Sequence, residues 1–159
     1  MAVVLQLAKG SLEAGDLIGV FQQEWPELDL FRWTDGEDKA GWMSEHAHIW
    51  HVWSNGRLVG YFAAVDLGRG RWSVHFGSRR SIQVGREMLM AWRKIEQIAE
   101  VNAVRMMVAY IPPGRPDIQR AARIFKFRKF SQALWALNLR QNSNRPRKRP
   151  PLSHPKTRA

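Results

Sequence analysis

Apolar residues Met88, Trp92, Ile95 and Ala99 recur at the three- and four-residue spacing of a single helix face, while Arg86, Arg93, Glu96 and Glu100 point elsewhere. That period predicts an amphipathic helix over residues 85–101. Before it the pattern changes to β-rich runs at 48–53, 58–67 and 71–76. Asn55-Gly56 between the first two is a two-residue hairpin signal, since both positions tolerate positive φ. Gly68, Arg69 and Gly70 form a second turn, so the three runs predict an antiparallel meander. Near the N-terminus, 3–7 reads as a short strand, and Ser11 or Asp16 caps a helix carrying Leu17, Ile18, Phe21 and Trp25 until Pro26 stops it. Residues 28–42 are polar and contain glycine, which predicts a loop or broken helix anchored by Trp33 and Trp42. Downstream, 104–111 predicts a strand ended by Pro112, Pro113 and Gly114, and Pro116 opens a helix running to about 127. A last strand over 131–139 sets Leu134, Ala136 and Asn138 against Trp135, Leu137 and Leu139, and no internal repeat is visible.

Length and composition then limit the possibilities. A chain of 159 residues with 45% apolar content supports one folded domain, expected over 1–140. Without cysteine there is no disulfide, thiolate nucleophile or cysteine metal site, which fits a reducing compartment. No apolar run reaches the roughly 18–20 residues that cross a bilayer. The run at 3–7 has no basic segment before it and does not read as a signal peptide. The expected location is the cytoplasm.

Charge is uneven. Arg145, Arg147, Lys148, Arg149, Lys156 and Arg158 supply more than half of the net +11. They sit among four prolines and no acid, so 141–159 is expected to be a disordered or extended basic tail. Such a segment binds nucleic acid or an acidic protein surface with salt-sensitive affinity, or merely solubilises the chain.

Candidate chemistry concentrates around the predicted long helix. Arg79, Arg80, Gln83, Val84, Gly85 and Arg86 form a basic turn between a strand and a helix start, where free N–H groups and the helix dipole attract phosphate. The plain alternative is a solvated turn. His75 at the end of the third meander strand is the best-placed base; Asp66 is second, and Tyr110 can donate a proton. The structural alternatives are a hydrogen-bonded His75, a turn-capping Asp66, and a Tyr110 whose ring packs while its hydroxyl stays wet. Glu45, His46, His48 and His51 match no metal-ligand spacing; as a strand, 46 and 48 share one face and 51 takes the other, so no metal is expected.

The order strand, helix, three-strand meander, helix, strand, helix, strand resembles the GCN5-related N-acetyltransferase (GNAT) superfamily. The resemblance implies an α+β fold, a mixed and mainly antiparallel sheet flanked by helices. In that family Arg or Gln, two residues, Gly, one residue, then Gly or Ala wraps the pyrophosphate of acetyl-CoA. Arg80, Gln83 and Gly85 fall at those three positions, with Gln83 replacing the first glycine. The strand from Trp72 to Phe76 looks like the one that pairs with the pantetheine arm, and His75-Phe76 before basic residues is similar to phage-encoded members. Ala121, Phe125, Lys129 and Phe130 stand where the family has alanine, tyrosine and Gly-Phe; Phe125 has no hydroxyl to act as an acid. The resemblance implies acyl transfer from acetyl-CoA to an amine, without a metal. It equally allows a non-enzymatic virion-associated protein on the same fold, placed in the host cytoplasm or the virion. A third reading, a nucleic-acid-binding module using the tail and exposed tryptophans, makes its own prediction. Nucleic-acid affinity should fall steeply with salt and be mostly lost on truncation after Arg140, as measured by fluorescence anisotropy across a salt series.

Overall fold

Turn chemistry sets the centre of the fold. Asn55 and Gly56 adopt φ values of 52° and 79°, the paired positive angles of a tight hairpin. Gly68, Arg69 and Gly70 are also left-handed, at 79°, 56° and 71°, and reverse the chain a second time. The computed structural model describes residues 2–9, 11–26, 38–79, 85–111 and 113–139. Its elements are β1 (Val3–Leu7), α1 (Ser11–Glu24), α2 (Lys39–His46), β2 (Ala47–Ser54), β3 (Arg57–Gly68) and β4 (Arg71–Ser78). They continue with α3 (Arg86–Val101), β5 (Met106–Tyr110), α4 (Pro116–Ile124), β6 (Arg128–Lys129) and β7 (Leu134–Asn138). One seven-stranded sheet runs in the order β1-β2-β3-β4-β5-β7-β6. Its pairs are antiparallel except β4 with β5, which is parallel and joined through α3.

Strand alternation gives each face its own core. On one face Phe62, Ala64, Trp72, Val74, Met107, Ala109 and Trp135 pack with Met88, Ala91, Trp92, Ile95 and Ala99 of α3 and Ala122 of α4. The periodic stripe of α3 is thus buried along its whole length. The rings of Trp92 and Phe125 stack at 5.1 Å, and Phe76 meets Phe125 edge-on at 5.2 Å. Aromatic pairs of this kind add about 1 kcal/mol each beyond area burial. On the other face a smaller core joins Phe21 of α1 and Met43 of α2 to Ile49, Tyr61 and Ala63.

Three local expectations need correction. Where the sequence predicts a loop or broken helix over 28–42 and a strand face shared by 46 and 48, residues 39–46 form α2. Its start is set by Asp38, whose carboxylate accepts from the Gly41 N–H at 2.9 Å. Eight residues containing a glycine leave too little periodicity to announce a helix. Glu45 and His46 therefore lie on α2, and His46 shares no strand face with His48; its Nδ1–H donates to the Trp42 carbonyl at 2.9 Å and its ring stacks on Trp42. Second, α4 ends at Ile124 rather than about 127. Lys126 turns left-handed at φ 74°, and the Phe127 and Lys126 N–H groups close on the Ala122 and Arg123 carbonyls, a Schellman termination without glycine. Third, β6 intervenes before β7, and Lys129 pairs with Trp135 within it. Trp33 and Arg140, with the tail 141–159, lie outside the described residues.

Two glycines let β3, β4 and α3 approach closely. A Cβ on Gly60 would lie 2.6 Å from the Gly77 carbonyl oxygen and 2.7 Å from Met88 Sδ, while one on Gly77 would collide with the Tyr61 ring. The backbone oxygen cannot retreat without breaking the ladder. Gly60→Ala should cost about 1–3 kcal/mol of stability in chemical denaturation, with an unchanged denaturant slope.

Candidate functional site

The sheet opens where its one parallel ladder stops. β4 and β5 pair only through Arg71, Trp72 and Ser73 with Met106, Met107 and Val108. β4 nevertheless continues to Ser78, while β5 stays paired with β7 as far as Tyr110. The Arg79 N–H bonds the Val59 carbonyl at 3.0 Å, so alternate residues Gly77 and His75 also turn their backbone groups to β3. Phe76 and Ser78 consequently direct N–H and C=O into the opened gap. Backbone groups in such a place require partners from outside the ladder.

Two expected residues face the same side of the sheet on the strands that flank this gap. His75 pairs with Ala63, a member of the smaller core, and so faces α1 and α2. Met107 and Ala109 belong to the larger core, so Tyr110 faces the same side as His75. Counting on from the last paired position, Ser73 with Val108, sets His75 and Tyr110 in equal register on the two diverging strands. Tyr110 is 68% exposed and can reach a ligand without unpacking anything. Asp66 is elsewhere. It opposes Trp72 on the α3 face, about 10 Å along the strand from His75. Its carboxylate accepts from the Gly68 N–H at 2.8 Å, which stiffens the β3–β4 turn.

The expected phosphate turn divides. Arg80, Gln83 and Val84 lie outside the described residues. Gly85 is the N-cap of α3 and offers its leading amides no side-chain acceptor. Arg86 begins the helix and, with Leu89, Met90 and Arg93, lines a surface groove of ≈ 490 Å³. The sequence reading left out Leu89, Met90 and Arg93, although their three- and four-residue spacing from Arg86 marks a second stripe beside the core stripe. Arg79, by contrast, turns toward α1. Its Nη1 pairs with Glu24 at 2.8 Å and its Nε donates to the Leu58 carbonyl at 3.1 Å.

Other polar groups are tied to structure. Burial pushes the Tyr61 hydroxyl up to about 12, which removes it from acid–base work near neutrality. Phe125 is fully buried between Trp92 and Phe76. His51 is buried 3.8 Å from Glu13. Among the described residues no group of three His, Asp or Glu side chains is disposed to hold a metal. Among the same residues, no helix is long and apolar enough to cross a membrane.

No family model matches the chain, and no curated protein matches it in sequence. Solved structures do. A putative GNAT-family acetyltransferase from Desulfovibrio desulfuricans superposes with a TM-score of 0.66 at 11% identity, covering 87% of this chain and 99% of that one. A putative acetyltransferase from Salmonella typhimurium, solved with its cofactor acetyl-CoA, gives 0.64 at 14% identity over 87% and 95%. The ribosomal-protein-S5-alanine acetyltransferase of Vibrio fischeri gives 0.60 at 12% identity over 87% and 93%. The chain has the fold of the GCN5-related N-acetyltransferases.

Tyr61 yields a test of the smaller core. Its folded value of about 12 exceeds the ordinary 10, so its contribution is complete below pH 10 and disappears as pH rises toward 12. Tyr61→Phe should lack that alkaline decline in a denaturation series run from pH 9 to about pH 12.

Proposed function

We propose that this protein is an N-acyltransferase that moves an acetyl group from acetyl-CoA to an amine. The observation that carries the reading is the gap beyond Ser73 and Val108, with the backbone of Phe76 and Ser78 turned into it. An amide-bearing pantetheine arm satisfies such an edge as a third strand would. The start of α3 at Gly85, with Arg86, suits the pyrophosphate, and Arg80, Gln83 and Val84 are proposed to complete that turn. The groove lined by Arg86, Leu89, Met90 and Arg93 offers an apolar floor between two cations, a match for the nucleotide end.

In the transfer, the amine nitrogen attacks the thioester carbonyl, a C–N bond forms, and the C–S bond breaks. His75 takes one proton of the incoming ammonium; Tyr110 gives one to the departing thiolate and recovers one from the nitrogen as the amide forms. Backbone N–H groups on the free edge of β4 stabilise the oxyanion. Asp66, set at its turn, takes no part in this scheme. Acetyl-CoA titrated calorimetrically into the full chain should bind in the micromolar range, about −8 kcal/mol. Tyr110→Phe should lower kcat by about a hundredfold or more with little change in KM for acetyl-CoA. An unchanged kcat would remove Tyr110 from the scheme.

A second reading is favoured by one residue. Phe125 puts a buried ring where the resemblance expects a hydroxyl. The same fold would then serve as a non-enzymatic phage structural protein whose basic tail, 141–159, engages nucleic acid or an acidic partner. Absence of acetyl-CoA binding at millimolar concentration would select it.

A further inference from the structure

The end of α1 is fastened across the mouth of the gap by three contacts. The Trp25 indole N–H donates to the Ser78 carbonyl at 2.8 Å. Glu24 pairs with Arg79, the residue that follows β4. On the β5 side, the guanidinium of Arg115 lies 6.0 Å from the centroid of the Trp25 ring. Arg115 is itself oriented by two hydrogen bonds to Asp117, at 2.9 and 3.1 Å, and these hold the Asp117 carboxyl below its usual range. Trp25 therefore touches both sides of the gap, the end of β4 and the turn entering α4.

The carbonyl it occupies has a particular role. The Val59–Arg79 hydrogen bond fixes the alternation of β4, which turns the backbone of Ser78 toward the gap. An extended ligand with amide N–H groups lying along this edge competes for that oxygen. We infer that Trp25 is a gate, its indole holding the Ser78 carbonyl until an acyl-CoA pantetheine amide displaces it. The inference rests on the acyltransferase reading of the gap. Displacement leaves the ring its cation–π contact with Arg115, so the indole swings aside while remaining attached to the α4 side. Glu24 and Arg79 limit how far the end of α1 travels. Trp25 is a positioning residue here, and it takes no part in proton transfer.

Acetyl-CoA titrated calorimetrically into the full chain and its Trp25→Phe variant tests this. Phenylalanine retains a ring for Arg115 and removes the competing donor. Binding to the variant should be about fivefold tighter, the worth of one net hydrogen bond. In the wild-type chain the Trp25 indole N–H resonance, assigned by its loss in the variant, should shift on saturation. Should Trp25→Phe fold poorly, Arg115→Gln loosens the ring with its donor intact and should tighten binding by a smaller factor. Binding to Trp25→Phe alone supports a gate that is closed at rest. Equal or weaker binding by the variant, with binding by the wild type intact, overturns the gate and leaves the acyl-CoA reading standing. No binding by any form overturns both.

Discussion

Three residue pairs between β4 and β5 govern the rest of the molecule. A parallel ladder is slightly less stable per residue than an antiparallel one, and this one stops while both strands still have length to run. The β4 backbone groups beyond Ser73 that face away from β3 must then find hydrogen-bond partners other than β5. β3 serves one set of the β4 backbone groups, and the other set faces the gap. The close approaches at Gly60 and Gly77 hold β4 against β3 at that point, so the opening falls on the β5 side. Position of the gap, register of His75 with Tyr110 and orientation of the Ser78 carbonyl all follow from where the ladder ends.

The elements with a strong period were legible in the sequence. The α3 stripe is buried as its spacing required, and the Asn55-Gly56 hairpin has the angles its residues permit. The order of elements carried the fold, despite sequence identities of 11–14% to the structures compared. What escaped notice depended on single side chains or distant contacts. Asp38 starts α2 with one hydrogen bond, and Lys126 ends α4 in a conformation usually left to glycine. Arg79 belonged by sequence to a basic turn, yet an acid 55 positions earlier decides its orientation. His75 and Tyr110 were named separately, and only strand register shows that they share a face. Trp25 read simply as the last apolar residue of a helix, because Ser78 and Arg115 lie too far along the chain for pattern to connect them.

The aromatic residues show how function and packing divide one chemical type. Trp92 and Trp135 are sealed in the larger core, with indole N–H groups that find no hydrogen-bond acceptor among the described residues. Burying such a donor costs about 1–3 kcal/mol, offset here by the ring contacts around it. Phe125 fills the same cluster with no polar atom to satisfy, so this part of the core gains from the missing hydroxyl. The polar aromatic groups available for chemistry are those at the rim, where water or a ligand can complete them.

The fastening of α1 to β4 also has a place in time. Its hydrogen bonds link residues 53 and 55 positions apart, whereas the meander hairpins close locally. Long loops close late because their entropy must be overcome before any contact rewards it. The clasp therefore forms after the meander on folding. By the same reasoning it opens before the sheet does, as a partial unfolding event separate from the global one. Part-exposed side-chain contacts of this kind open more easily than a buried ladder, so the mouth of the gap can part while the centre of the domain stays intact.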